Sequence, residues 1–260
     1  MQDEPGGAAL ERVMALVRDL RQRCPWDRVQ TRATLRPYLL EEAHELDHAL
    51  AAGDPARIRG ELGDLLLNVA YQMVLLEELG EGTAALVADQ VIRKMERRHP
   101  HLFDLGPPEP WEALKRREAD APGGALDGVP PTLPALLHAE RLQARAAAVG
   151  FDWADAAGPL AKVREELAEV EQAIASGDED ALADEMGDLF FSAVNLSRKA
   201  GVRGEQALER ANAKFRARFA AVEALARARG LDVATAGLEV LDGLWDEVKR
   251  ASLREGDRQD

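Results

Sequence analysis

The sequence predicts an all-α protein built from two copies of one helical unit. Aromatic residues make up only 5% of the 260 residues, while Ala, Leu, Glu and Arg are abundant, and this composition favours helices over strands. Apolar residues such as Leu39, Ala43 and Leu46 recur at spacings of three and four, and no segment alternates like a half-buried strand. We therefore expect tandem, antiparallel helical bundles.

The duplication is visible as an offset of 124 residues that two segments share. Residues 40–46 (LEEAHEL) match residues 164–170 (REELAEV), and residues 60–66 (GELGDLL) match residues 184–190 (DEMGDLF). Further on, residues 111–115 (WEALK) match residues 245–249 (WDEVK). Such self-similarity indicates that each half of the chain is a complete structural unit.

A segment rich in Gly and Pro separates the halves. Residues 119–134 read ADAPGGALDGVPPTLP, and Gly and Pro break helices. We therefore expect a first unit at residues 1–118, a linker at 119–132 and a second unit at 133–260.

Composition excludes several classes of function. The formal net charge of −14 argues against a nucleic-acid-binding protein, because phosphate backbones are held mainly by excess Lys and Arg. Cys24 is the only cysteine, so no intramolecular disulfide forms and the reducing cytoplasm is the expected location. The longest apolar stretch, residues 65–76, is far shorter than the ~20 residues of a membrane span.

Acidic residues are placed so that they converge within each unit. Glu42 and Glu45 are three residues apart, as are Glu61 and Asp64, so each pair lies on one helix face. Glu45 lies eight residues before Gly53 and Glu61 eight residues after it, which puts both at one height of an antiparallel hairpin. The second unit repeats this pattern around Gly177 with Glu166, Glu169, Glu185 and Asp188.

Isolated acidic pairs are usually surface residues. In each unit, however, the second helix of the hairpin is apolar on almost all sides, at residues 62–76 in the first unit and 186–196 in the second. Such a helix is expected to be buried, and clustered acids in an interior repel one another unless a cation neutralises them. Mg2+, or Mn2+ in its place, suits carboxylate ligands. A di-iron site would require Glu-x-x-His pairs, and neither Glu45 nor Asp64 is replaced by His.

Basic residues are expected to form the other half of the site. Lys214 and Arg218 are one helical turn apart, as are Trp245 and Lys249, so each pair shares a face. Exposed cations usually serve solubility, and a Trp in a late helix is usually part of a core. The recurrence of the first pair as Lys94 and Arg98 favours a function in binding phosphate. Metal-binding acids beside phosphate-binding cations predict a polyphosphate substrate that metal-activated water hydrolyses.

The chain closely resembles the MazG family of nucleoside triphosphate pyrophosphohydrolases. The resemblance covers residues 24–27 (CPWD), both EExxE and ExxD pairs, residues 94–101 (KMERRHPH), 128–130 (GVP) and 150–153 (GFDW). It implies tandem all-α units that form a homodimer, bind Mg2+ and convert ATP and other (d)NTPs to the monophosphate and pyrophosphate, as nucleotide-pool housecleaning.

The resemblance also assigns the residues of the second unit. Glu166, Glu169, Glu185 and Asp188 would hold the metal and support catalysis. Lys162, Glu165, Lys214, Arg218, Trp245 and Lys249 would contact the nucleotide. The first unit keeps a second possible metal site at Glu42, Glu45, Glu61 and Asp64. It has Tyr38 where the second unit has Lys162, so the first unit is expected to be structural or weakly active.

Two alternatives remain open at the level of sequence. One is a related pyrophosphohydrolase with a narrower substrate, such as a single dNTP or phosphoribosyl-ATP. The other is a non-enzymatic helical dimer scaffold in which the acids merely aid solubility. A panel of substrates would separate the first alternative, and metal-dependent pyrophosphate release would exclude the second.

Overall fold

The computed structural model describes residues 6–103, 105–108 and 124–256. The predicted all-α fold is confirmed, because every regular element in these ranges is helical. The chain divides into two compact units, Met1–Glu118 and Ala119–Asp260. Within the predicted linker, residues 124–132 form turns, whereas residues 119–123 lie outside the described ranges.

The first unit is built around an antiparallel helical hairpin. Its elements are α1 (Gly6–Arg23), α2 (Pro25–Arg28), α3 (Arg32–Ala52), α4 (Pro55–Glu78), α5 (Ala84–Arg98) and a short 3-10 turn (Pro100–Leu102). Helices α3 and α4 pair along their length, and α1 packs on α4. The core lies between α1, α3 and α4, where Val17, Leu35 and Val74 are buried.

The second unit repeats the hairpin and extends it with two long helices. Its elements are α6 (Ala135–Ala148), α7 (Ala157–Ser176), α8 (Glu179–Lys199), α9 (Gly204–Ala228) and α10 (Leu238–Gly256). Helices α7 and α8 pair as α3 and α4 do, α6 packs on α8, and α9 packs on α10. A separate cluster of Val222, Ala226 and Leu244 joins α9 to α10.

The turn of each hairpin has the same chemistry. Gly53 and Gly177 end the first helix with φ of 71° and 72°, a left-handed conformation that favours glycine. The next residue caps the second helix, and the Asp54 side chain accepts hydrogen bonds from two backbone N–H groups at the start of α4. Asp178 does the same for α8. Each hairpin therefore has a defined turn length and register.

The expectation that residues 62–76 and 186–196 are buried all round is wrong for a single chain. Leu62 is 50% exposed, and on α8 Phe190 and Phe191 are 57% and 43% exposed. Within each unit these helices have neighbours on only part of their circumference, so the apolar residues on the remaining side face outward. Among the described residues, no helix has the length and apolar character that spanning a membrane requires.

Candidate active site

The second unit brings three of the predicted carboxylates together. Oxygen atoms of Glu166, Glu185 and Asp188 all lie within 4.8 Å of one another. Glu166 lies eleven residues before Gly177 and Asp188 lies eleven residues after it, so the hairpin register puts these two acids at one height. Glu166 is only 3% exposed, whereas Asp188 is open to solvent. This combination places a cluster of oxygen ligands at a solvent-accessible edge of the bundle.

Lys162 lies directly against this cluster. Its Nζ is 2.6 Å from Glu166 Oε1 and 2.9 Å from Glu165 Oε1, one turn before each along α7. The hydrogen bond from Lys162 holds the pKa of Glu166 below its ordinary value, against the opposing effect of burial. The Lys162 ammonium therefore stabilises the ionised form of the deeply buried Glu166.

Glu169 completes the predicted set from the next turn of α7. A hydrogen bond with Glu166 raises the pKa of Glu169, and burial and the charges of Glu166 and Glu185 act in the same direction. Glu169 is thus in contact with the cluster although it is not among the three acids that share the 4.8 Å spacing. The negative charges of these neighbouring acids therefore disfavour ionisation of Glu169.

The first unit forms a related cluster with different members. Oxygen atoms of Glu42, Glu45 and Glu61 lie within 4.8 Å of one another. Burial raises the pKa of Glu42, and the charge of Asp64 adds to this effect. At the position of Lys162 stands Tyr38, whose ring meets Trp26 edge-on with centroids 6.1 Å apart. The first cluster therefore has no lysine of its own at this position.

Both clusters have a donor set that fits a hard divalent cation. Carboxylate oxygens are the ligands that Mg2+ and Mn2+ prefer, and close carboxylates that repel one another gain most from a cation. No Cys or His belongs to either cluster in the described part of the chain, which disfavours zinc and other softer metals. The residues present therefore fit a hard divalent cation in each unit.

Trp245, one of the predicted nucleotide-binding residues, lies in an aromatic group that joins α9 to α10. Phe215 stacks on Phe219 with centroids 5.9 Å apart, and its other neighbour is Trp245 at 5.4 Å. Trp245 packs against the core of α9 and α10 and remains half-exposed. Its position is therefore both structural and accessible to a ligand.

The predicted phosphate-binding cations lie on the same two helices, Lys214 and Arg218 on α9 and Lys249 on α10. Lys214 is exposed and Arg218 is half-buried, and neither bonds to the acidic cluster within the described residues. Lys249 Nζ lies 3.6 Å from an Asp246 carboxylate oxygen. In the first unit, the matching Trp111 and Lys115 lie outside the described residues. A contact of Lys214 and Arg218 with phosphate stays a prediction.

Comparison with known proteins assigns the family. The model of the MazG nucleotide pyrophosphohydrolase domain matches residues 30–103 and 158–222, which together make up more than half of the chain. The chain belongs to the MazG family. The two matched segments contain both carboxylate clusters, one in each unit.

Full-length relatives support this assignment. The chain is 41% identical over 252 residues to the nucleoside triphosphate pyrophosphohydrolase of Escherichia coli (strain K12), covering 93% of this chain and 96% of that protein. It is 38% identical over 249 residues to the nucleoside triphosphate pyrophosphohydrolase/pyrophosphatase MazG of Thermotoga maritima. This match covers 94% of this chain and 96% of that protein. The protein YabN of Bacillus subtilis is 38% identical over 255 residues, which is 92% of this chain but 51% of YabN.

One group of interacting residues in the second unit was not assigned by the sequence. Asp152 binds Arg198 at 2.5 Å and Lys199 at 3.3 Å, and the hydrogen bond from Arg198 lowers the pKa of Asp152 to about 2. These contacts fix residues 150–153 against α8. The sequence did contain a sign that Asp152 matters, because it matches Asp27 of the CPWD segment. Its partner on α8, Arg198, could not be identified without the fold.

Proposed function

We propose that this MazG protein hydrolyses nucleoside triphosphates and deoxynucleoside triphosphates to the monophosphate and pyrophosphate, with Mg2+ held by the second unit. The observation that carries this proposal is the convergence of Glu166, Glu185 and Asp188 with Lys162 in contact. The names of the Escherichia coli and Thermotoga maritima relatives support the same reaction class.

Each of the site residues in the second unit has its own role in this proposal. Glu166, Glu185 and Asp188 hold the cation, with Glu169 as a fourth ligand. Mg2+, when bound, supplies activated water and neutralises charge that develops on the phosphate. Lys162 donates a charge-assisted hydrogen bond to a phosphate oxygen, the strongest kind of contact an ammonium makes with phosphate.

The remaining contacts serve the rest of the nucleotide. Lys214 and Arg218 project from α9 one turn apart and would hold phosphate oxygens. Trp245 and Lys249 lie on α10, where they would contact other parts of the nucleotide. Glu165 would position the Lys162 ammonium through the hydrogen bond that Lys162 donates to it. These assignments are the ones that the family resemblance implies.

The first unit is proposed to be structural or weakly active. Its three acids are present, but Tyr38 offers one neutral hydrogen bond where Lys162 offers a charged one. Charge-assisted hydrogen bonds are roughly twice as strong as neutral ones. Loss of that contact to a phosphate that gains charge in the transition state lowers the rate as well as the affinity.

We also propose a homodimer that acts in the cytoplasm as a nucleotide-pool housecleaning enzyme. The support for association is the outward-facing apolar side chains of the second hairpin, where Leu167 is 49% exposed, Ile174 is 63% exposed and Phe190 is 57% exposed. Patches of this kind mark interaction surfaces. Sedimentation velocity of the full chain tests this proposal, and a monomer at micromolar concentration would contradict it.

Pyrophosphate release from the eight common NTPs and dNTPs, with and without Mg2+, tests the reaction and the base preference together. Asp188→Asn should abolish release. Glu171→Gln, a change of an exposed acid on α7, is the matched control and should retain activity. Release without any divalent cation, or normal turnover by Asp188→Asn, would refute the proposal.

A further inference from the structure

Two aromatic side chains of the first unit form an exposed corner. Trp26 of α2 is 52% exposed and Tyr38 of α3 is 43% exposed. Their rings meet edge-on at 75°, with centroids 6.1 Å apart. Single exposed apolar residues are common on protein surfaces, but two rings held together in this way offer π faces to one ligand. This pair is called the aromatic corner below.

The short helix that carries Trp26 is well anchored. Asp27 is only 7% exposed, and its carboxylate accepts a hydrogen bond from the Tyr71 hydroxyl. Arg21 donates to the Asp27 carbonyl and Gln30 Nε2 donates to the Trp26 carbonyl, both at 2.8 Å. These bonds connect α2 to α1, to α4 and to the residues before α3. The exposed indole is thus held in place before a ligand arrives, which reduces the entropy that binding costs.

Carboxylates continue from the aromatic corner along one face of α3. Glu42 lies one turn after Tyr38 and Glu45 nearly two turns after it, about 6 Å and 10 Å along the helix axis. Across the hairpin, Glu61 of α4 brings a third carboxylate within 4.8 Å of the other two. Aromatic faces and negative charge therefore follow one another on a single surface of the first unit.

The basic residues near this surface do not neutralise it. At about 100° per residue, Arg36 and Arg32 lie on other sides of α3 from Tyr38. Arg32 is paired with Glu81 at 2.6 Å, and Arg28 donates to a backbone carbonyl of α1 at 2.8 Å. In the described part of the chain, no cation pairs with the three acids. The cluster therefore carries negative charge that these residues of the first unit do not balance.

The second unit shows which group occupies the equivalent place there. Lys162 stands at the position of Tyr38, and its Nζ lies 2.6 Å from Glu166 Oε1. Glu42 is the counterpart of Glu166 in the first unit. The first unit therefore keeps the acid, lacks the ammonium that pairs with it in the second unit, and has two aromatic rings beside it. Both carboxylates and aromatic faces attract an ammonium group.

We propose that the aromatic corner and the three acids of the first unit bind a polyamine, a linear organic cation with several ammonium groups. One ammonium packs on the face of Trp26, because Trp is the best aromatic partner for a cation, and pairs with Glu42. A second ammonium reaches Glu45 and Glu61 at the next turn. This inference concerns a surface of the first unit and does not depend on the proposed hydrolysis in the second.

Mg2+ and a polyamine differ in what they require at this surface. The carboxylates attract both cations, so the two compete for the first unit. An aromatic ring supplies no oxygen ligand for Mg2+, but its π face binds an ammonium. A substitution of Trp26 therefore separates the two cations, because it leaves every carboxylate in place.

Calorimetric titration of the full chain with spermidine, in metal-free buffer at physiological ionic strength, tests the site. Trp26→Ala, which keeps the net charge, should raise the Kd by about fivefold. Tyr38→Lys installs the ammonium that the second unit carries and should raise the Kd by about tenfold or more. Phe151→Ala is the matched control and should leave the Kd unchanged, because Phe151 is the counterpart of Trp26 in the second unit and is 83% exposed.

Absent binding of spermidine, or an unchanged Kd in a folded Trp26→Ala protein, would overturn the proposal, because attraction by net charge alone does not need the ring. If Trp26→Ala does not fold, Tyr38→Lys decides, and an unchanged Kd in that variant overturns the proposal as well. Trp26→Ala should leave the Kd for Mg2+ unchanged, and equal weakening of both cations would contradict a role of the ring. Pyrophosphate release from ATP is measured separately, so its absence would refute the proposed function and leave this site intact.

Discussion

The ion pair between Asp152 and Arg198 is expected to stabilise the second unit by a measurable amount. The partners are only 23% and 18% exposed, unlike most surface ion pairs. A fall in the pKa of Asp152 from an ordinary 3.8 to about 2 corresponds to roughly 2 kcal/mol at neutral pH. Partial screening by solvent reduces this, so Asp152→Asn should lower the free energy of unfolding by about 1 to 2 kcal/mol.

The pH dependence has a definite sign. Because the pKa of Asp152 is lower in the folded chain, its contribution is complete above the ordinary pKa near 3.8 and is lost as pH falls toward about 2. The difference in stability between wild type and Asp152→Asn should therefore be constant from pH 7 to pH 5. It should shrink steadily below pH 4.

Urea unfolding followed by near-UV circular dichroism at pH 7, 5 and 3 measures this difference. Glu247→Gln is the control, since the ion pair of Glu247 with Arg229 is almost half exposed on both sides and should give no measurable change. Equal stability of wild type and Asp152→Asn at pH 7 would refute the reasoning. A difference that persists unchanged at pH 3 would show that the lost contact is not electrostatic.

Three predictions concern activity. Glu185→Ala or Asp188→Ala should abolish pyrophosphate release without lowering the free energy of unfolding in the absence of metal, because removal of one acid relieves repulsion; unfolding curves in a chelator check this. A double variant with Glu61→Ala and Asp64→Ala should keep most activity, whereas one with Glu185→Ala and Asp188→Ala should lose nearly all of it. Equal losses of activity would mean that both units contribute. Lys162→Tyr should lower kcat/KM for ATP by about tenfold or more, because a charged hydrogen bond to phosphate becomes a neutral one. Steady-state kinetics measures this value, and an unchanged kcat/KM would contradict the reasoning.

The carboxylate clusters could be anticipated because they depend on local geometry. The interval between Glu45 and Glu61 and the glycine between them fix which acids meet across a hairpin, and the structure brings Glu42, Glu45 and Glu61 together. The spacing could not identify which three of the four acids in each unit lie closest together, because that depends on the direction of the side chains. The predicted phosphate contacts of Lys214 and Arg218 stay predictions, since their position relative to a substrate depends on packing between helices far apart in sequence.

Burial was harder to predict than helicity. The apolar stretch around Phe190 was expected to be enclosed, and in a single chain more than half of that side chain is exposed. Hydrophobicity predicts that a face will be covered but does not say whether the same chain covers it.

The fixed turn at Gly53 and Gly177 limits how this protein can change in evolution. Surface connections usually accept insertions at small energetic expense. One extra residue in this turn would rotate one helix by about 100° and shift it by about 1.5 Å against its partner. Glu61 or Glu185 would then point away from the opposite acids even if the bundle still folded. Variation in length among active descendants should therefore accumulate in the connections outside these two hairpins.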